Sequence, residues 1–411
     1  VMTAEVKSAA ITTNTVAKVA FTNTIATGKI IVKKTGDVLT SGKSVETEYG
    51  TVSVPALAAK GLAGVVYEVK DSAGKVVATL TTNASGTAET GALPLGNYTV
   101  QEKSAPAAYI VDDTVHSVTL AYKDQNTSVV TVTVSADNVL RAGGVKIRKM
   151  TEMFNYEKID FYNALAEGYV FGLYTAEVIG DVPADVLVEV LTTDAQGIAQ
   201  TSVSLPYGKY YLKELAVPVE TVEMLTDTLP LTIDSEMNVQ YYDKPIYNTM
   251  FKAKIGVYKL DAANEERALT GAVFEVRDTA GKLFDTITTN KDGYAETIDL
   301  PVGEYKVKEV QPPAGFILSD EVKTIALTTE DKQTAVFEMT NKANAAKVRK
   351  LDSHTELPLA NATIKVTDAS GKVFYEGKTA ADGYISMKEL PAGKYTWQEV
   401  IAPEAYSIDP A

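Results

Sequence analysis

The sequence predicts an all-β protein built of tandem β-sandwiches, four units of roughly a hundred residues each. Three observations predict it. A fourteen-residue pattern, L-P-x-G-x-Y-x-x-x-E-x-x-x-P, begins at Leu93, Leu205, Leu300 and Leu390, and intervals of 112, 95 and 90 residues make it a repeat array. Short β-branched and aromatic runs fill the space between copies, and convincing helical periodicity is scarce. The same turns recur at matching places in each repeat.

Each element can be justified in order. Gly28–Lys34, Ser128–Val134 and Lys254–Lys259 read as strands. Asp71-Ser-Ala-Gly74, Asp278-Thr-Ala-Gly281 and Asp368-Ala-Ser-Gly371 read as one hairpin used three times. A second turn, with Gly86, Gly197, Gly293 or Gly383, precedes each L-P by seven or eight residues. Glu152 to Glu167 is an insertion, read as a short helix or a long loop. The expected domains are 24–140, 141–249, 250–344 and 345–411, the last lacking its final strands, with 1–23 reading as spare final strands.

Bulk properties exclude several classes. Net charge is -14, so a nucleic-acid partner, which needs a basic face, is not expected. No apolar run approaches the roughly 18 residues of a membrane helix. No basic, apolar leader opens the sequence. Cysteine is absent, so no disulfide is expected, and His116 and His354 read as incidental. Neither cofactor nor metal is expected.

Side-chain parity gives the chemistry. Each repeat opens with an alternating strand ending in lysine: Val32-x-Lys34, Ile147-x-Lys149, Val257-x-Lys259, Val348-x-Lys350. Residues two apart share a face, so each lysine points where the apolar residue points, into the core. The motif glutamates behave alike, in Val100-x-Glu102, Leu212-x-Glu214, Val307-x-Glu309 and Trp397-x-Glu399. So do asparagines closing the last strand of three repeats: Ala136-x-Asn138, Ile246-x-Asn248 and Met339-x-Asn341. In the first repeat Lys33 and Asp137 compete, and parity favours Lys34 and Asn138. A buried lysine and glutamate both drift toward neutrality. A neutral amine is a nucleophile, and a protonated carboxyl can polarise the asparagine amide and shuttle a proton to its leaving nitrogen. The product is a Lys–Asn isopeptide bond with ammonia released.

On these residues the chain resembles tandem collagen-adhesin B-type (CnaB) domains of Gram-positive surface proteins and pilins. The repeated motif is similar to the family's E-box, and Gly271-Ala-Val-Phe274 and Asn290-Lys-Asp-Gly293 fit its pattern. The resemblance implies an Ig-like or transthyretin-like sandwich and self-made isopeptide bonds with Glu102, Glu214, Glu309 and Glu399 as catalysts. The implied trios are Lys34/Glu102/Asn138, Lys149/Glu214/Asn248 and Lys259/Glu309/Asn341. No L-P-x-T-G sorting signal, hydrophobic tail or pilin lysine motif is seen, so sortase use stays open.

The fourth repeat has Lys350 and Glu399 but no asparagine-bearing strand after them, while Val19-x-Phe21-x-Asn23 reads as such a strand. Glutamate to asparagine spans 36, 34 and 32 residues in the first three repeats, and Glu399 to the end plus Asn23 from the start gives 35. Three explanations are open: head-to-tail strand donation between molecules with an intermolecular Lys350–Asn23 bond, one period of a longer repetitive protein, or a fragment. The expected function is the structural shaft of a bacterial cell-surface fibre or pilus, with copies of itself as partners. The only chemistry expected is one self-crosslinking turnover. The alternative is a ligand-binding adhesin, or its stalk anchored to the cell wall, facing a host surface or matrix protein. For that reading Val38 to Lys60 and the aromatic insertion with Phe154, Tyr156, Phe161 and Tyr162 are the candidate surfaces, against packing on a neighbouring repeat.

Overall fold

The computed structural model describes residues 6–331 and 333–408. Every regular element among them is a strand. The strands form two compact bodies. The first holds repeats one and two, and the second holds repeats three and four together with Glu152–Tyr162 and Thr221–Glu223.

Repeat one sets the pattern. Its first strand, Thr27–Thr47, alternates strictly at the start, so Ile30, Val32 and Lys34 face inward together. Around it gather the hairpin return Gly50–Gly61, the turn strand Thr87–Glu89, the L-P pair itself and the last strand Val129–Asn138. The last strand runs parallel to the first. The facing sheet is antiparallel, in the order Val76–Thr81, Val66–Asp71, Gly96–Ser104, Val115–Leu120. The two inner faces meet in one core of Val65, Tyr67, Val69, Val100, Leu120 and neighbours.

Repeats two and three rebuild this arrangement, with facing sheets centred on Gly208–Ala216 and Gly303–Gln311. In repeat two the last strand is broken into Met237–Asn238 and Ile246–Asn248. Among the described residues of repeat four, Ala345–Arg349 pairs with Tyr384–Lys388, and Val373–Lys378, Thr363–Asp368 and Tyr395–Ile401 form a second sheet.

Two sequence expectations need correction. The first strands do not end at lysine: they run on to Thr47, Asn155 and Asp261 because each continues into an antiparallel hairpin. The Glu152–Glu167 insertion is neither helix nor long loop, since it is the tip and return strand, Asp160–Leu165, of the second hairpin. Its aromatic character comes from packing. Phe154 is buried, stacks on Phe284 at 5.9 Å and meets Phe161 edge-on at 4.8 Å, within the second body. Glu152 adds bonds to Lys252 Nζ at 2.9 Å and to the Met250 amide at 3.0 Å. The Val38–Lys60 hairpin does the same inside the first body, where the Asp181 amide donates to the Leu39 carbonyl at 2.8 Å. In the third repeat the hairpin return carries Arg267, which grips Glu389 of the fourth with both guanidinium arms.

Candidate crosslinking sites

The L-P-x-G-x-Y motif closes on itself. The hydroxyls of Tyr98, Tyr210, Tyr305 and Tyr395 donate to the carbonyls of Pro94, Pro206, Pro301 and Pro391 at 2.8, 2.9, 2.8 and 2.8 Å. This loop launches the glutamate strand. Just past each glutamate the strand carries a β-bulge. Ser104 pairs with Val66 but Glu102 with Tyr67, leaving Lys103 as the extra residue. The same slip leaves Leu215, Val310 and Val400 unpaired. A bulge re-aims side chains locally, and here it is fixed beside the acid in all four repeats.

The lysine is pinned by its backbone. The amides of Lys34, Lys149, Lys259 and Lys350 donate to the carbonyls of Gly86, Gly197, Gly293 and Gly383 at 2.7, 2.7, 2.8 and 2.8 Å. Their own carbonyls accept from Leu62, Ala166, Leu269 and Leu359 at 2.9, 3.3, 2.8 and 3.0 Å. The four glycines have φ of 73, 68, 70 and 78°, which favours glycine, and a Cβ on Gly293 would stand 2.7 Å from the Lys259 carbonyl. Sequence reasoning marked these glycines only as turns; their second task is to hold the lysine.

The asparagine arrives by register. It sits opposite the residue two past the lysine in each parallel ladder: Gly36 with Asn138, Thr151 with Asn248, Asp261 with Asn341. Lysine and asparagine therefore lean toward each other from neighbouring strands while the glutamate reaches across from the facing sheet.

In the first three repeats all three side chains are buried, none more than 5% exposed. Lys33 and Asp137, the competitors of Lys34 and Asn138, are exposed. Lys34 Nζ lies 3.1 Å from Glu102, which accepts the Asn138 amide at 2.8 Å. Lys259 Nζ lies 3.3 Å from Glu309, which accepts both a 2.9 and a 3.0 Å bond from Asn341. In repeat two Lys149 Nζ lies 3.9 Å from Glu214 and donates to Asn248 Oδ1, while the Asn248 amide donates to Glu214 at 2.7 Å. A ring lies under each amine, Tyr67 at 6.0 Å, Tyr169 at 5.1 Å and Phe274 at 5.4 Å. Backbone amides of Leu225 and Ser319 hold Glu214 and Glu309 from outside, both at 2.7 Å. Repeat one departs: the Tyr67 hydroxyl reaches Glu102 at 3.4 Å.

Burial acts on these groups in opposite directions. It pulls the Lys149 amine down to about 8 and pushes the Glu214 carboxyl up. It lowers Lys259 too, against the opposing pull of Glu309. Desolvation thus moves both partners toward their neutral forms.

Repeat four brings together only two of the predicted residues. Lys350 donates to Glu399 at 3.0 Å, with side chains 23% and 9% exposed, and no asparagine accompanies them among the described residues. Asn23 lies in an exposed segment that carries no strand. His116 and His354 take no part in these sites, and the described residues hold no group of three or more metal-ligating side chains.

The chain is similar to several known proteins. A 103-residue stretch, 23% of this chain, is 34% identical to the trypsin-resistant surface T6 protein of Streptococcus pyogenes, covering 19% of that protein. A longer match of 387 residues, 82% of this chain, is 25% identical to serine-aspartate repeat-containing protein D of Staphylococcus aureus, covering 28% of it. The chain thus spans under a third of the length of either curated relative. Among solved structures, the TIE protein of Bacillus anthracis aligns over 95% of this chain and 72% of its own with 20% identity and a TM-score of 0.44. BcpA, the major pilin subunit of Bacillus cereus, aligns over 77% of this chain and all of its own, at 17% identity and a TM-score of 0.38. The family model of the SpaA prealbumin-like fold domain matches residues 56–136, 253–343 and 344–411, more than half of the sequence, and the chain belongs to that family.

Proposed function

We propose that this chain is a shaft or stalk segment of a Gram-positive cell-surface fibre, hardened by a Lys–Asn isopeptide bond in each of its first three repeats. One observation carries the reading: three times, a buried glutamate is hydrogen-bonded to an asparagine amide nitrogen with a buried lysine within 4 Å of the acid.

The chemistry follows from that placement. The neutral lysine amine attacks the asparagine Cγ. The glutamate takes the amine's proton and returns one to the Nδ2 it already touches, so ammonia leaves and an amide remains. The acid is restored, the lysine charge is gone, and no oxidant is needed. Each bond ties the first strand to the last. Force applied at the ends of a repeat would otherwise peel those two strands apart. The hairpins support the stalk reading over a ligand-binding one, because Phe154 and Arg267 are engaged inside the second body, with Phe284 and Glu389.

The test is the intact mass of the protein under denaturing conditions. The reading expects three ammonias fewer than the sequence requires, with crosslinked peptides joining Lys34 to Asn138, Lys149 to Asn248 and Lys259 to Asn341. A mass equal to that of the sequence refutes it.

A further inference from the structure

One buried side chain outside the trios recurs in all four repeats. Thr82, Thr193, Thr289 and Thr379 are 4, 3, 3 and 3% exposed. Each directly follows an edge strand of the facing sheet, Val76–Thr81, Leu187–Thr192, Leu283–Thr288 or Val373–Lys378, and stands four residues before the turn glycine. The residue after it changes, from Asn83 to Asp194, Asn290 and Ala380, so the hydroxyl is what the four share.

That hydroxyl has the same two partners each time. It donates to the carbonyls of Leu62, Ala166, Leu269 and Leu359 at 2.6, 2.6, 2.8 and 2.7 Å. It accepts from the amides of Val65, Tyr169, Ala272 and Ala362 at 3.0, 2.9, 3.0 and 3.1 Å. The first four partners are the residues whose own amides hold the lysine carbonyls. A path therefore runs from the Thr289 hydroxyl through Leu269 to the Lys259 carbonyl. The threonine's own chain leads on to Gly293, whose carbonyl takes the Lys259 amide. Both backbone groups of the lysine thus hang from one buried side chain. The second partner adds the ring under the amine. In repeat two it is Tyr169 itself, and in repeats one and three Tyr67 and Phe274 stand two residues past Val65 and Ala272.

Resting on the crosslinking reading above, we infer that Thr82, Thr193 and Thr289 are positioning residues for bond formation. The hydroxyl sets where the lysine backbone stands, and so whether Nζ lies in line with the asparagine Cγ. Its bonds go to backbone groups and not to the reacting atoms, so it acts through the lysine. The step it serves is the one already written: an Nζ–Cγ bond forms, the Cγ–Nδ2 bond breaks and ammonia leaves. In a close-packed core the lysine cannot swing to make up an error at its Cα, and a misplacement of about 1 Å can cost roughly a hundredfold in rate. Valine has the shape of threonine without the hydroxyl, so Thr289→Val leaves the Leu269 carbonyl and the Ala272 amide without that partner while filling the same space.

The experiment uses the full 411-residue chain, made in a short synthesis pulse. Mass spectrometry follows the Lys259–Asn341 peptide in time, with the Lys34–Asn138 and Lys149–Asn248 peptides of the same molecule as internal clocks. Protease resistance of repeat three reports its folding. Thr289→Val is expected to fold and to form the third bond at least about tenfold more slowly than wild type, with the other two on time. Thr289→Ser, which keeps the hydroxyl, is expected to restore the rate. Leu327→Val trims a buried side chain of the same repeat away from the lysine clamp and is expected to leave the rate near that of wild type. Equal slowing by Leu327→Val and Thr289→Val overturns the inference, because the hydroxyl then acts only through stability. A protease-sensitive third repeat in Thr289→Val overturns it too, since the hydroxyl is then a folding element. So does a Thr289→Val bond formed at the wild-type rate, or a Thr289→Ser bond as slow as that of Thr289→Val. In each of these cases wild type still loses three ammonias and the crosslinking reading stands. No ammonia lost from wild type refutes the crosslinking reading itself.

Discussion

Replacing Glu309 with glutamine separates the chemistry of a site from its packing. Glu309 is fully buried, 3.3 Å from Lys259 Nζ, and accepts the Asn341 amide. Glutamine keeps the shape but cannot carry a proton between the two nitrogens. The third bond should fail, leaving the protein one ammonia heavier than wild type once the substitution is allowed for. Two energies are then lost. The bond encloses 83 residues, from Lys259 to Asn341. Closing such a loop is worth about 4.5 kcal/mol, by analogy with a disulfide. The unreacted Lys259 amine also stays in the core, where desolvation works against its charge and adds a cost of the same sign. The loop contribution alone is comparable to the lower end of the roughly 5–15 kcal/mol that holds a whole domain together. The third repeat of Glu309→Gln should therefore be strongly destabilised. Adding Lys259→Met removes the second cost, so the double variant should fold and melt roughly 20–35 °C below wild type. Calorimetry and limited proteolysis read both. Glu309→Gln with the full ammonia loss of wild type would remove Glu309 from the mechanism. A single variant as stable as the double would refute the buried-charge argument.

Asn248→Ala should leave the Lys149 amine buried and unreacted. Its folded value near 8 lies below the unfolded value, so between about pH 8 and 10.5 the unfolded chain binds a proton that the folded chain does not. Relative to wild type, whose lysine is an amide, stability should rise by about 3 kcal/mol across that window; denaturant titration of both proteins at both ends decides, and a fall relative to wild type refutes the assignment. Gly293→Ala forces a Cβ at positive φ against the Lys259 carbonyl, so crosslinking of repeat three should slow, read as partial ammonia loss in freshly made protein. Tyr67→Phe gives repeat one the residue found at Phe171 and Phe274, and its bond should form as before, checked by the Lys34–Asn138 peptide. Phe154→Ala should cost about 3–5 kcal/mol in the second body's melting transition without changing the mass deficit.

Much of the fold was legible because the signals were local. Alternation placed Lys34 with Val32 and turned Lys33 outward, and the structure has Lys34 buried and Lys33 exposed. Parity also sorted Asn138 from Asp137 in the same way. What stayed hidden depends on a second strand. The bulge at Lys103, Leu215, Val310 and Val400 exists only in the pairing of two strands, and no residue type announces it. The hairpin extensions were missed because Val38–Lys60 and Glu152–Glu167 lack a fixed length and a shared turn. Their partners, Asp181 and Phe284, lie in the next repeat, more than a hundred residues away, where no window of sequence looks. The clamp from Gly293 to Lys259 was half legible: the turn was visible, its contact was not.

The buried charges and the crosslink are one design problem. An unreacted trio is a liability, since burying lysine and glutamate opposes folding. The same desolvation makes the amine nucleophilic and the acid able to donate, so folding raises the energy of the reactants and their reaction removes the strain. The trigger is then the strand that excludes water. In repeats one to three that strand also carries the asparagine, so covering and supplying the acceptor are a single event. Repeat four tests the logic. Its lysine still meets water, with 23% of the side chain exposed against 0% in the others. Lys350 should therefore react with acylating reagents in the folded protein, while Lys34, Lys149 and Lys259, freed in turn by Asn138→Ala, Asn248→Ala and Asn341→Ala, should resist them. If Lys350 labels no faster than those three, burial is not what separates the sites.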